Sequence, residues 1–237
     1  MSAPLRLACL DAEAPPLFSL WTTERGREGY EPGVAEALGA ELRRPVEWVR
    51  LPWVEMIPAV QRGDVDAVLC GQGITAERSA QINFTRPYAV FHEGVLVRRG
   101  SAIQGTEDLV GRRVAAIENS TNMALAETFT GAIPVAFGAG SDDVYADMLA
   151  ALLKGDVDAV VDDDVLFVPL GATHPDYGLA FTVQTGNKWG IGVAKDRPQV
   201  LAEIDGALGR LIDSGRLREV WKRWLPTLGY PFDEVPV

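Results

Sequence analysis

The chain has 237 residues, 47% of them hydrophobic and 23% charged, enough for one large domain or two small lobes. Its 33 acidic and 22 basic residues leave a net charge of −11, which argues against nucleic acid and anionic membrane surfaces, since both need a basic face. The two cysteines, Cys9 and Cys70, and the two histidines, His92 and His174, show no metal-ligand spacing, so no metal and no cofactor is expected. Both cysteines end apolar strand patterns and are expected as small buried hydrophobes rather than as a disulfide. The N-terminus, MSAPLRLACLD, lacks the apolar run of a leader, and no stretch approaches the roughly 20 apolar residues of a membrane span. These features fit either a cytosolic chain or a mature exported one.

Taken in order, residues 5–10 are a short apolar run that predicts a strand. Asp11 and Glu13 follow just beyond its C-terminal end, the edge where ligands bind in open α/β sheets. Residues 24–31 are charged and contain glycine, which predicts a hairpin or exposed turn. Helical spacing covers 32–42, a second strand covers 46–51, and Pro52 opens a helix that Gly63 ends. Residues 65–69 predict a buried strand that gives out at Cys70-Gly71-Gln72-Gly73, and a new helix begins near Thr75 with Arg78 in its first turn. Residues 89–97 are apolar and β-rich, and 106–109 read as a short helical turn. A strand at 113–117 leads into Glu118, Asn119, Ser120 and Thr121, where Ser120 or Thr121 caps a helix over 122–129. A strand at 133–137 precedes a helix capped by Ser141, Asp142 and Asp143 and stopped by Gly155. Residues 157–161 predict a strand ending at Asp162, Asp163 and Asp164, adjacent carboxylates of which at least some must face water or a partner. Strands at 179–183 and 190–194 flank a polar connection at 184–189, and two helices, 198–214 and 217–225, close the chain. Strands alternating with helices predict an α/β fold with a mostly parallel sheet and helices on both faces.

The hexapeptide GDVDAV occurs at 63–68 and again at 155–160, each time after a helical pattern and before a strand. This matched context predicts two similar α/β lobes. The glycine-rich strand exit at 70–73 lets a ligand approach the backbone. The helix start after it offers unpaired N–H groups, and Arg78 adds a fork of donors that matches a carboxylate. Together they predict an anion site.

WVEMIP at 53–58, GDVDAV at 63–68, GITAER at 73–78, FTRPY at 84–88, LVGRRV at 109–114, NST at 119–121, VDAVVDD at 157–163 and VWKRW at 220–224 occur in an order that resembles the bacterial extracellular solute-binding proteins of family 3. The resemblance spans nearly the whole chain, and its I-T-x-x-R…F-(T/S)-x-P-Y combination is specific. It implies the type II periplasmic binding protein fold, two Rossmann-like α/β lobes joined by a two-strand hinge around a ligand cleft. By resemblance, lobe 1 is 1–92 plus 190–237, lobe 2 is 93–189, and the crossovers lie near 91–96 and 185–192.

The resemblance also implies roles for single residues. Arg78 matches the clamp for a ligand α-carboxylate, and Thr121 with Ser120 beside it, following Asn119, completes that carboxylate site. Asp163 matches the aspartate that holds the α-ammonium group, Trp53 an aromatic against which the ligand packs, and Gly71 a backbone carbonyl that accepts from the ammonium. The chain departs from the family at Gly73, where Ser or Thr is common, and at Ala14, where an aromatic often covers the ligand. Both changes enlarge the pocket. Asp11, Glu13 and Glu118 favour a cationic group on the ligand. The implied function is capture of a zwitterionic amino acid or derivative by a monomeric periplasmic or extracellular protein that serves an ABC permease. The alternative is an enzyme on the same scaffold, similar to cyclohexadienyl dehydratases, with Glu13, Glu118 or Asp163 as general acid.

Overall fold

The computed structural model describes residues 3–138, 141 and 143–233. Asp142, expected to help cap a helix, lies outside the described residues. The chain divides into two compact units: Met1–Asp11, Pro15–Val90 and Asn187–Val237 form the first, and Ala12–Ala14 with Phe91–Gly186 form the second.

The first unit contains β1 (Leu5–Cys9), α1 (Tyr30–Leu42), β2 (Val46–Arg50), α2 (Trp53–Arg62), β3 (Ala67–Val68) and α3 (Ala76–Gln81). The strand β4 (Asn83–Arg98) starts here and continues into the second unit. That unit holds β5 (Arg113–Ile117), α4 (Thr121–Ala126), β6 (Ile133–Phe137), α5 (Val144–Lys154), β7 (Ala159–Asp163) and α6 (Asp164–Thr173). The strand β8 (Tyr177–Val193) returns the chain to the first unit, which α7 (Pro198–Asp213) and α8 (Arg216–Trp224) complete.

In the first unit β1 runs parallel to both β2 and β3, and the end of β8 joins β3 antiparallel. Helix α1 packs against α7 and α8, with the fully buried Tyr30 ring edge-on to Trp221 at 5.2 Å. In the second unit β5 runs parallel to β6 and β7, and β4 pairs antiparallel with β7. Its core includes Val95, Leu109, Val114, Ala126 and Val161. Cys9 and Cys70 are buried and unpaired, as expected, and burial pushes both thiols up, Cys9 to about 11.

The repeated hexapeptide has the same physical meaning in both units. Gly63 (φ 78°) and Gly155 (φ 82°) each end a helix in the left-handed region, where glycine pays no steric cost. Three residues on, Asp66 Oδ2 accepts the backbone N–H of Arg6 at 3.0 Å, and Asp158 Oδ2 accepts that of Arg113 at 2.9 Å. Each of these arginines then bends back onto the carbonyl of the glycine, Arg6 at 3.1 Å and Arg113 at 2.7 Å. One carboxylate thus ties a helix end to the start of the neighbouring parallel strand. Asp66 also meets Arg44 at 3.2 Å and Arg197 at 3.5 Å.

Several elements differ from expectation. Of the hairpin or exposed turn expected at 24–31, the hairpin is present, with Thr22 bridged to Gly26, but α1 begins at Tyr30, and Arg27 and Glu31 are buried. The polar connection at 184–189 is continuous strand within β8, where 184–188 alternate between exposed and half-buried and Trp189 is fully buried. Helix α6 was not foreseen, because its sequence DVLFVPLGAT is apolar on every side and carries Pro169. The strand predicted at 157–161 lies two residues later, and Asp162 and Asp163 belong to it.

Replacing Asp66 by Ala leaves the Arg6 N–H without its carboxylate acceptor and removes the contacts of Asp66 with the guanidinium groups of Arg6, Arg44 and Arg197. It is expected to destabilise the protein by about 2–3 kcal/mol in urea unfolding. Asp158→Ala, with fewer partners, is expected to cost about half that by the same measurement.

Candidate functional site

In the first unit the segment after β3 forms a strap. Gly71 adopts φ 55°, and Gly73 makes a β-bridge with Trp189. Ile74 N–H donates to Lys188 O at 2.8 Å, and Gly190 N–H donates to Gln72 O at 3.1 Å. Thr75 caps α3 by accepting the Arg78 N–H at 3.1 Å. The half-buried Arg78 side chain folds back so that Nη1 donates to Gly73 O at 3.1 Å, and its guanidinium lies 5.3 Å from the Trp53 ring centroid. Arg78, Trp53 and Gly73 are therefore neighbours, and the guanidinium is held by a carbonyl and an aromatic face. A cavity of about 470 Å³ in this unit is lined by Trp21, Arg27, Arg43, Arg44 and Trp48 among others, and by none of the expected site residues.

In the second unit Ser120 Oγ caps α4, accepting Met123 N–H at 3.0 Å and donating to Ile117 O at 2.6 Å. Asn119 precedes it at φ 59°, a left-handed conformation that asparagine tolerates better than most residues, and is exposed. Thr121 is the half-buried first residue of α4. Asp163 stands at the N-cap of α6, yet its side chain does not cap that helix. Instead its Oδ1 accepts from Asn122 Nδ2 at 3.1 Å. The same Nδ2 donates to Glu93 at 2.7 Å and approaches Asp162 at 3.5 Å. The β4–β7 register sets Glu93 directly opposite Asp163, a like-charge pair that is unfavourable unless protons or cations intervene.

Glu93, Asp162 and Asn122 are at most 5% exposed. The aspartate triplet therefore does not simply face water. Burial pushes Asp162 up to about 7, only partly opposed by the hydrogen bond from Asp163 N–H. Asp163 is raised well above the carboxylate range by burial first, then by repulsion from Asp162 and Glu93, against the Asn122 hydrogen bond. Asp164 accepts the His92 N–H at 3.0 Å and is raised mainly by burial.

Asp11 is exposed and ion-paired with Arg50 at 3.6 Å, and Glu13 and Glu118 are exposed. Glu93 and Asn122 were not among the expected site residues. Asn122 was the first residue of the helix expected over 122–129, but nothing local announces a cross-strand partner. Among the described residues no His, Cys, Asp and Glu group is arranged to hold a metal ion, and no helix is long and apolar enough to cross a membrane.

The family described as bacterial extracellular solute-binding proteins, family 3, matches residues 7–227. The chain is 27% identical over 215 residues to the ABC transporter glutamine-binding protein GlnH of Bacillus subtilis (strain 168), covering 88% of this chain and 77% of that protein. Among solved structures it is similar to an ancestral arginine-binding protein bound to glutamine, with a TM-score of 0.84, 26% identity and coverage of 95% and 99% of the two chains. It is also similar to the ancestral amino acid-binding protein AncCDT-1, a precursor of cyclohexadienyl dehydratase, with a TM-score of 0.79, 25% identity and coverage of 93% and 94%. The fold is that of the type II periplasmic binding proteins.

The raised carboxyl groups have a thermodynamic signature. Asp162 keeps in the folded chain a proton that the unfolded chain, with an ordinary pKa near 3.9, releases. Its contribution is therefore largest below about pH 4 and falls as pH rises towards 7, by up to about 1.4 kcal/mol per pH unit. Asp162→Asn is expected to remove that slope, so that variant and wild-type stability diverge in the variant's favour between pH 4 and 7 in urea titrations. Parallel curves would show that Asp162 is ionised throughout.

Proposed function

Since the chain belongs to the bacterial extracellular solute-binding proteins of family 3, we propose that it captures an amino acid or close derivative as a zwitterion and delivers it to an ABC permease from the periplasmic or extracellular side. The anchored Arg78 carries this reading. Its guanidinium is held by Gly73 O and the Trp53 ring in a partly desolvated setting, and a planar fork of that kind suits a carboxylate. Asp163 supplies the opposite charge for the ammonium group. Glu93 stands directly opposite it and favours a ligand with net positive charge or a strongly localised cation. Ser120 has its hydroxyl committed to the α4 cap, so Thr121 is the better candidate for a hydroxyl contact. Binding alone, without bond-making chemistry, accounts for these parts.

One observation favours a second reading. A buried carboxyl that keeps its proton near neutrality, as Asp162 does, is what a general acid requires, and a precursor of cyclohexadienyl dehydratase shares the fold. Incubation with prephenate or arogenate decides it: loss of substrate with release of carbon dioxide would establish an enzyme, and unchanged substrate is expected.

In a thermal-shift and calorimetric screen with L-arginine, L-glutamine and L-histidine, at least one is expected to stabilise the wild-type protein. Arg78→Ala and Asp163→Asn are each expected to weaken that ligand by about 30-fold or more, the usual cost of removing one partner of a desolvated charge pair. Unchanged affinity in Arg78→Ala would remove the carboxylate clamp.

A further inference from the structure

We infer that Glu31 is a positioning residue of the ligand site: its buried carboxylate sets the conformation of the 71–73 strap and, through Gly73, the placement of Arg78. The inference rests on reading Arg78 as the partner of the ligand carboxylate.

Glu31 lies in the first turn of α1 and is 1% exposed. Acidic residues favour helix starts, but Glu31 does not cap its own helix, whose N-cap, Gly29, carries no side-chain hydrogen bond. Its Oε1 crosses to the strap and accepts the Gly71 N–H at 2.6 Å and the Tyr88 hydroxyl at 2.5 Å. Tyr88 is held in turn, because its carbonyl accepts the Tyr30 hydroxyl at 2.6 Å and its ring lies 6.0 Å from that of Trp189.

The Gly71 N–H is where this carboxylate acts. A Cβ on Gly71 would meet Trp189 at 3.8 Å, an ordinary contact, so space does not demand glycine there. The backbone conformation does, at φ 55°. A charged acceptor on the N–H fixes the orientation of the 70–71 peptide. The strap's other edge is pinned by the hydrogen bonds at Ile74 and Gly190, and Gly73 O holds Arg78 Nη1. Tension at one end of so short a segment is transmitted to the other.

A buried carboxylate is a costly way to hold a loop. Burial raises Glu31, and the hydrogen bonds from Tyr88 and Gly71 and the field of Arg27 oppose that rise. Arg27 is itself 5% exposed and stacked 4.5 Å over Phe18. The other groups facing the site are titratable but neutral near pH 7: Tyr30, Tyr88, Cys9 and Cys70, all pushed upward by burial. A short charge-assisted contact to one backbone N–H is the specific result that offsets the cost.

The test uses the full chain, with Glu31→Gln and Glu31→Leu. In amide-resolved nitrogen-15 spectra the wild-type Gly71 N–H is expected far downfield, moving with a single titration above the ordinary carboxylate range. That titration is absent in Glu31→Gln, where the Arg78 Nε–H signal also moves. By calorimetry well below the melting range, the dissociation constant for L-arginine or L-glutamine is expected to rise about 10-fold or more in Glu31→Leu, with Glu31→Gln in between. A wild-type Gly71 signal indifferent to pH, or a folded Glu31→Leu protein with unchanged affinity, would overturn the inference and leave Glu31 as packing. Should Glu31→Leu fail to fold, Glu31→Gln carries both readouts. If wild-type protein binds neither amino acid while Gly71 still titrates and Arg78 still responds, the strap assignment stands and the ligand reading fails.

Discussion

The architecture of each unit depends on one carboxylate placed three residues after a left-handed glycine. Asp66 and Asp158 each accept the backbone N–H of a residue at the start of the adjacent parallel strand, and the arginine at that position returns to the glycine carbonyl. A strand start has an N–H with no ladder partner, and burying it unpaired is costly. The aspartate removes that cost and fixes strand order at once. Asp158 shows the balance: burial disfavours its charge, but the N–H and guanidinium of Arg113 outweigh it and hold the carboxyl below its usual range. Because β3 and β7 begin directly after Asp66 and Asp158, the same bond sets where each strand enters the sheet.

The two units then treat buried negative charge differently. In the first, Glu31 is satisfied by a hydroxyl, a backbone N–H and the field of Arg27, so its charge is compensated within the fold. In the second, Glu93, Asp162 and Asp163 lie around the amide of Asn122. Burial, and then repulsion from Asp162 and Glu93, raise Asp163 there.

Much of this was readable from local pattern. A helix does begin at Thr75, Ser120 is the one of Ser120 and Thr121 that caps α4, and Gly63 and Gly155 end their helices as expected, because capping and left-handed termination depend on residues within one turn. The repeated GDVDAV marked two equivalent junctions, though its aspartates gave no sign of the distant N–H groups they accept. Helix α6 escaped notice since periodicity vanishes where a sequence is apolar on every side. Glu31 was read as part of a charged turn, and the correction comes from Gly71, forty residues away in sequence and 2.6 Å away in space.

The amino-acid order by itself determined the α/β class, the family, the helix ends and the glycine-rich exit that bears Arg78. These follow from short-range sterics and from apolar periodicity, which act over a few residues. Only the tertiary structure decided which carboxylates are buried together, that Asn122 is their shared donor, and that Glu31 supports the strap holding Arg78. Those facts depend on strand register and on packing across 29 to 41 residues of sequence. Charge and hydrogen-bond satisfaction are properties of neighbours in space, and no local pattern specifies them.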